Sequence, residues 1–297
     1  MKRIFLTLSI LFACITLSAQ SLHPWQGKRV GYIGDSITDP NCLTDVHKYW
    51  EFLQEWLQIT PYVTAISGRE WNDVPRQAQQ IKEEHGGEVD AILVFMGTND
   101  YNSGVPIGEW FTETEEKVWA ATGKPQQEVV RKRRHLVLTN DTFKGRINQG
   151  IQCLKQLYPD KQIILLTPIH RAYAYFGNNN VQPDESYQNQ CGEYLDAYVK
   201  AILEAGSIWS VPVINLHAIS GLNPMVEEQI QYFKDTKTDR LHPNTKGQER
   251  LARTLMHQLQ MHPCTYEYLT YLRFKVCPKS SSSKSRALSA PPGELGA

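Results

Sequence analysis

The sequence predicts an α/β fold: a three-layer α/β/α sandwich around a five-stranded parallel sheet. Five short apolar runs recur along the chain, and stretches with helical periodicity separate them. Two of the runs, "AILVFMG" and "QIILLTP", are apolar on both faces, which is typical of parallel strands covered by helices. The length of 297 residues and the hydrophobic content of 41% suit one large packed domain of this class.

The predicted strands are six or seven residues long and end at polar or turn residues. In chain order they are "RVGYIG" (29–34), "YVTAIS" (62–67), "AILVFMG" (91–97), "QIILLTP" (162–168) and "VPVINL" (211–216). Two long connections, 102–139 and 172–184, follow strands of this set. In an open parallel sheet the ligand crevice lies beyond the carboxyl ends of the strands, so we expect both connections to wall a site.

Helical periodicity appears in the segments between the runs. In "TFKGRINQGIQCLKQLY" (142–158) apolar residues recur every three or four positions, behind a candidate cap at Asn140 or Asp141. A second stripe is typical of a core-facing helix and comprises Tyr187, Cys191, Tyr194, Leu195, Tyr198 and Ile202. The last helix begins after Asn244, which can cap it, and continues to about Gln260.

The amino-terminal residues 1–19 have the pattern of a cleavable secretory signal: a basic start, an apolar run over 4–13 and the small-residue end "LSA" before Gln20. A lipoprotein site at Cys14 is the weaker alternative, because Phe12 is bulky for it. We therefore expect a secreted or periplasmic protein with a folded domain over 20–262 and a disordered, Ser- and Pro-rich tail over 263–297. No other apolar run approaches the roughly 18 residues that a membrane-spanning helix needs.

Charge and cysteine content argue against several classes of protein. Without the signal the chain has 29 basic and 31 acidic residues, and this near-neutral balance argues against nucleic-acid binding. The basic run "RKRR" (131–134) is interpreted as a solvated loop. Five scattered cysteines with no CxxC pair indicate neither a zinc site nor a dense disulfide framework. We expect no metal and no cofactor.

Four polar blocks fall where a parallel sheet would bring them together. "GDSIT" (34–38), "SGREW" (67–71) and "GTND" (97–100) follow the first three predicted strands, and "DRLHP" (239–243) forms a turn before the last helix. Nucleophilic acyl transfer needs a hydroxyl, a neutral imidazole, a carboxylate that fixes the imidazole tautomer, and donors for the oxyanion. Ser36, His242 and Asp239 are candidates for the first three. The N–H groups of Ser36 and Gly68 and the side-chain amide of Asn99 are the candidate donors.

In this order, the four blocks resemble those of the SGNH hydrolases, also called the GDSL esterase/lipase family, over about 28–260. The resemblance implies a flavodoxin-like fold and a serine esterase mechanism without a cofactor. It makes Ser36 the nucleophile, His242 the general base and acid, and Asp239 the carboxylate that orients His242. Ser36 N–H, Gly68 N–H and Asn99 would then form the oxyanion hole. The first block reads "GDSIT" where the family has G-D-S-L, which is a conservative difference.

The same resemblance bears on the substrate, since exported members of this family often remove acyl groups from carbohydrates. Trp71 ends the second block and Tyr101 follows the third, so both could stack on sugar rings, and His170 comes two residues after the fourth strand, where it could bind substrate. We therefore expect an esterase for short acyl groups, mainly O-acetyl, with a small-molecule or glycan ester as its partner. Two alternatives remain open: a lysophospholipase, lipase or thioesterase with the same triad, and a non-catalytic glycan-binding module.

Overall fold

A parallel sheet of five strands forms the centre of the protein in the computed structural model, which describes residues 23–264. The predicted signal, 1–19, and all but the first two residues of the predicted tail, 263–297, lie outside the described residues. Of those two, Cys264 is buried in the core, so the folded part extends slightly further than predicted. The strands of the described part are β1 (Arg29–Gly34), β2 (Thr60–Val63), β3 (Ala91–Phe95), β4 (Phe111–Ala120), β5 (Gln127–Leu136), β6 (Gln162–Leu166), β7 (Ala174–Tyr175), β8 (Val181–Gln182), β9 (Val213–Ile214), β10 (Phe233–Asp235) and β11 (Asp239–Pro243). The helices are α1 (Tyr49–Leu57), α2 (Val74–His85), α3 (Thr98–Asn102), α4 (Phe143–Leu157), α5 (Leu195–Trp209), α6 (Leu216–Ile219) and α7 (Thr245–Leu259), and 3₁₀ helices span Trp71–Asp73 and Glu227–Tyr232.

The central sheet has the strand order β2-β1-β3-β6-β9, and all of its pairings are parallel. Counted among the parallel strands alone, this is the order 2-1-3-4-5 of flavodoxin-like sheets. The predicted fold class is therefore confirmed. The first strand has the predicted bounds, whereas the second spans 60–63 and not the predicted 62–67, although the N–H of Ile66 still donates to the carbonyl of Gly34 over 3.3 Å.

Both faces of the sheet are covered, which explains why its central strands are apolar throughout. Along β3, Ile92 and Val94 pack into a core with α2, α4 and α5, while Ala91, Leu93 and Phe95 pack into a second core with α1 and α7. Successive side chains of a strand point to opposite faces, so one apolar run serves both cores. The result is the predicted three-layer arrangement.

Local polar contacts decide where the long helices begin. Asn244 caps α7 as predicted, since its side chain accepts hydrogen bonds from two N–H groups of the first turn. The cap of α4 is Thr142 and not Asn140 or Asp141, because the Thr142 hydroxyl accepts from the N–H of Gly145. The prediction placed this helix correctly but its cap one or two residues too early.

The stripe that begins at Tyr187 is helical only from Leu195 onward, so its first part was predicted wrongly. The side chain of Asn189 accepts from the N–H of Cys191 and holds this stretch in turns. Tyr187 and Tyr194 are accordingly exposed, at 61% and 46%. The polar side chain of Asn189 therefore overrides the apolar spacing, as asparagine does at many turns.

The connection 102–139 carries an antiparallel hairpin, β4 and β5, whose strands pair with each other alone. The basic run "RKRR" lies on β5 and is not the predicted loop. It faces an acidic strand: Arg133 and Arg134 of β5 are 2.9 and 3.3 Å from Glu116 and Glu113 of β4. These carboxylates neutralise much of the run, which is consistent with the near-neutral balance of the whole chain.

A second sheet is antiparallel and has the strand order β10-β11-β7-β8. It joins the connection 172–184, which carries β7 and β8, to the block "DRLHP". That block forms the strand β11 and not the predicted turn, because it pairs with β10 on one side and, through Asp239 and Ala174, with β7 on the other. Among residues 23–264, no helix is long and apolar enough to cross a membrane.

Candidate active site

The turn after β1 presents the side chain of Ser36. The N–H of Thr38 donates to the carbonyl of Asp35 over 3.0 Å, which makes the turn tight. Only glycine fits at position 34, because a Cβ there would lie 2.5 Å from the Thr38 hydroxyl oxygen. Gln77 of α2 fixes the start of the turn through two 3.0 Å hydrogen bonds with the backbone of Gly34. Hydrogen bonds at Gly34, before Ser36, and at Thr38, after it, therefore fix the backbone that carries this serine.

Ser36, His242 and Asp239 form a chain of hydrogen bonds. The Nε2 atom of His242 lies 2.8 Å from Ser36 Oγ, and its Nδ1 lies 2.9 Å from Asp239 Oδ2. Oδ1 of Asp239 also accepts from the N–H groups of Leu241 and His242, over 3.2 and 3.0 Å, so the carboxylate is fixed by its own strand. A carboxylate accepts but does not donate, so the imidazole proton lies on Nδ1 and Nε2 is free to accept from the Ser36 hydroxyl.

The predicted oxyanion donors lie at the same cleft as Ser36. Gly68 has φ +76°, a left-handed conformation that strains other residues, and the Asp39 carboxylate binds the N–H of the preceding residue over 2.8 Å. The amide nitrogen of Asn99 donates to the carbonyl of Arg69 over 3.0 Å, which orients the amide and leaves its second N–H available. Among the described residues, no acceptor is paired with the N–H of Ser36 or of Gly68.

A cleft of about 350 Å³, which we call the Ser36 cleft, brings these groups to the surface. Its lining residues are Ser36, Cys42, Leu43, Ser67, Gly68, Asn99, Phe176, Asn180, Gln182, Leu241 and His242. Three of the lining residues, Phe176, Asn180 and Gln182, belong to the connection 172–184, which walls the site as predicted. The connection 102–139 contributes none of these lining residues, because its strands pair with each other and not with the strands around Ser36. Its first residue, Asn102, lines a neighbouring groove.

Trp71, predicted to bind substrate, lies in the core and has no exposed surface. Its backbone N–H donates to the Asp100 carboxylate over 3.0 Å, and its ring packs against α4, where a Cβ at Gly150 would come within 3.3 Å of it. The absence of a side chain on Gly150 makes room for the indole. Trp71 is therefore a core residue, and the prediction that sugars stack on it is wrong.

The two other predicted substrate residues, Tyr101 and His170, do not line the Ser36 cleft, although Tyr101 lines a neighbouring groove of about 380 Å³. Tyr101 is 4% exposed, and its hydroxyl donates to the carbonyl of Tyr187 over 2.7 Å. His170 pairs with Glu185, and its ring packs against that of His217 at an interplanar angle of 37°, with the centroids 3.6 Å apart. The aromatic side chain at the cleft is instead Phe176, whose ring centroid lies 5.4 Å from that of His242.

Behind the cleft lies a buried cation, Arg171, whose burial and role the sequence did not indicate. Its guanidinium donates to Gln182 over 2.6 Å and to Thr98, and it sits 5.5 Å above the ring of Tyr101. Burial lowers the pKa of Arg171 to about 10, so the group stays charged at neutral pH. Burial also raises the pKa of Asp35 to about 6, although the Ile37 N–H opposes this shift. The residue beside Ser36 therefore titrates near neutrality.

Fold and site together are those of a hydrolase of carboxylic esters. The chain belongs to the GDSL-like lipase/acylhydrolase family, whose sequence model matches residues 32–250. The match spans all four polar blocks, so the family resemblance predicted from them is confirmed. The described residues hold no group of three or more His, Cys, Asp or Glu side chains that could bind a metal ion.

Solved structures share the fold at low sequence identity. A protein from Lactobacillus plantarum is 23% identical with a TM-score of 0.61, over 80% of this chain and 98% of that one. A possible lipase from Chitinophaga pinensis is 21% identical with a TM-score of 0.57, over 79% of this chain and 98% of that one. No protein of curated function matches the sequence.

Proposed function

We propose that the protein is an exported serine esterase that removes short acyl groups, mainly O-acetyl groups, from carbohydrates. The observation that carries the proposal is the hydrogen-bonded chain from Ser36 Oγ through His242 to Asp239, with distances of 2.8 and 2.9 Å. This arrangement activates a hydroxyl at neutral pH, because a neutral imidazole accepts its proton as it attacks.

In the proposed reaction, Ser36 Oγ attacks the acyl carbon while His242 Nε2 takes the hydroxyl proton. Asp239 stabilises the imidazolium that results. The negative oxygen of the tetrahedral intermediate accepts from the N–H groups of Ser36 and Gly68 and from the Asn99 amide. The ester C–O bond then breaks, and His242 gives its proton to the leaving alcohol. A water molecule, deprotonated by His242, attacks the acyl-enzyme and releases the carboxylic acid and the free serine.

The lining of the Ser36 cleft favours a short acyl group. Most of its exposed wall is apolar and comes mainly from Leu43, Phe176 and Leu241. A long acyl chain gains affinity only by burying each methylene against apolar surface, at about 0.8 kcal/mol per CH₂. Because the cleft is open to solvent and holds only about 350 Å³, these side chains cover a short acyl group and leave the far end of a longer chain in water.

Hydrolysis of p-nitrophenyl acetate, butyrate and octanoate by the wild type and by Ser36→Ala tests the proposal. We expect acetate to be preferred, and we expect Ser36→Ala to lower turnover by a factor on the order of 10⁶. Preference for octanoate would favour the lipase or thioesterase alternative. Equal rates in the two proteins would show that Ser36 is not the nucleophile, and glycan retention without any turnover would favour the binding module.

Export is the second part of the proposal. It is supported by the basic start, apolar run and small-residue end of 1–19. Amino-terminal sequencing of the protein recovered from its host should give a chain that begins at Gln20. A chain that retains Met1 in the cytoplasm would contradict export, and a lipid-modified Cys14 at the amino terminus would favour anchoring over release.

A further inference from the structure

Beside the Ser36 cleft lies a second groove, of about 380 Å³, which we call the amide groove. Six of its nine lining residues carry side-chain amides: Asn102, Asn179, Asn180, Gln188, Asn189 and Gln190. The groove is adjacent to the Ser36 cleft because Asn180 lines both. The hairpin of β7 and β8 forms this shared wall, and the N–H of Phe176 donates to the Asn180 carbonyl across its turn.

The chemistry of the lining restricts what the groove binds. A carboxamide offers both an acceptor and two donors, so it complements a hydroxyl group, which also donates and accepts. No charged side chain is among the described residues that line the groove, which disfavours a polyanionic ligand. The two aliphatic lining residues, Val181 and Pro183, are too few to hold an acyl chain.

Several of the amides are available to a ligand. Asn189 is already committed, since its side chain donates to the carbonyl of Tyr101 and to the hydroxyl of Tyr198. In contrast, the side chains of Asn179 and Gln190 are exposed and have no hydrogen-bond partner among the described residues. Their polar groups can therefore be used without breaking the fold.

From this we infer that the amide groove binds the sugar chain of a neutral acetylated oligosaccharide while an acetyl group of that chain lies at Ser36. The inference rests on the proposed esterase function and names its substrate class. Asn179 and Gln190 bind sugar hydroxyls on one side of the β7–β8 hairpin. On the other side, Phe176, which is 43% exposed, contacts the sugar that carries the ester.

The double variant Asn179→Ala/Gln190→Ala tests the groove, with Gln54→Ala/Gln126→Ala as a matched control that removes two exposed amides outside the lining residues. Substrates are acetylated xylo-, manno- and gluco-oligosaccharides, acetylated oligogalacturonates as the anionic contrast, and p-nitrophenyl acetate. Because each lost hydrogen bond weakens binding modestly, we expect kcat/KM on the best neutral oligosaccharide to fall on the order of tenfold, mainly through KM. The control variant, and p-nitrophenyl acetate hydrolysis by both variants, should match the wild type.

Three outcomes would overturn the inference while leaving the esterase function intact. They are unchanged kinetics of the groove variant on neutral oligosaccharides, preference for the anionic substrate, and activity of the wild type on p-nitrophenyl acetate but on no neutral oligosaccharide. Calorimetric titration of Ser36→Ala with acetylated xylo-, manno- and gluco-oligosaccharides, with and without the groove substitutions, gives a readout independent of turnover. An affinity that falls when the two amides are removed supports the groove even if the wild type hydrolyses no ester. An affinity that is the same with and without the substitutions contradicts it.

Discussion

Replacing Asp239 by asparagine tests the orienting role of this carboxylate directly. The variant keeps one side-chain oxygen to accept from the N–H groups of Leu241 and His242, so the strand around it retains its contacts. The other oxygen, 2.9 Å from His242 Nδ1, becomes an amide nitrogen that donates. The remaining oxygen, 3.1 Å from Nδ1, already accepts from two backbone N–H groups, so the nearer amide donor favours the tautomer with its proton on Nε2. In that tautomer Nε2 faces the Ser36 hydroxyl and cannot accept.

The expected cost is a fall in kcat on the order of 10⁴, which corresponds to about 5 kcal/mol of transition-state stabilisation. The free energy of unfolding should fall by only about 2 kcal/mol, the range for one hydrogen bond to a charged group. Steady-state hydrolysis of p-nitrophenyl acetate gives the first quantity, and urea unfolding gives the second.

A matched control lies on the neighbouring strand. Asp235 accepts from the N–H groups of Lys237 and Thr238 in the same manner, both over 2.8 Å, but its described contacts include no histidine. Asp235→Asn should therefore retain wild-type turnover. If Asp239→Asn keeps kcat within tenfold of the wild type, or if both variants lose turnover equally, the orienting role assigned to Asp239 is refuted.

Three further predictions concern other residues of the site and core. Asn99→Ala should lower turnover of p-nitrophenyl acetate by about 10² to 10³ through loss of one oxyanion donor, at a nearly unchanged melting temperature; a smaller loss would contradict its role. Trp71→Ala should lower the free energy of unfolding by about 3–5 kcal/mol and leave KM unchanged in the protein that still folds. A raised KM with unchanged stability would show instead that Trp71 binds substrate. Asp35 binds a proton more tightly in the folded than in the unfolded state, since its pKa is raised from 3.8 to about 6. Its contribution to stability is therefore fully present below the lower value and declines by about 3 kcal/mol as pH rises through the higher one. Asp35→Asn should remove this decline in urea unfolding followed from about pH 4 to about pH 7, and an unchanged slope would contradict it.

Most of the candidate site could be predicted because it depends on topology more than on detail. Parallel strands end at one edge of a sheet, so blocks that follow β1, β2 and β3 must lie near one another. His242 is 206 positions from Ser36, yet the two side chains are 2.8 Å apart. The order of apolar runs and polar blocks was enough to indicate that proximity.

The wrong prediction for Trp71 depended on the direction of a side chain from a turn. Trp71 is three positions after Gly68, and sequence spacing does not state whether such a residue faces solvent or core. In the structure Trp71 begins a 3₁₀ helix, and its indole ring points into the core, where Gly150 leaves room for it. Phe176 reaches the cleft instead because β7 pairs with β11, the strand that carries His242.

The sequence by itself determined the layered fold, the family and the chemical groups of the candidate site. Apolar periodicity and polar blocks can be recognised within short stretches of the sequence. Only the tertiary structure decided which aromatic borders the cleft, that Arg171 is buried behind it, and that amides from separate segments form one groove. These features arise from contacts between residues distant in sequence. Their energies depend on burial and mutual distance, and a linear pattern specifies neither.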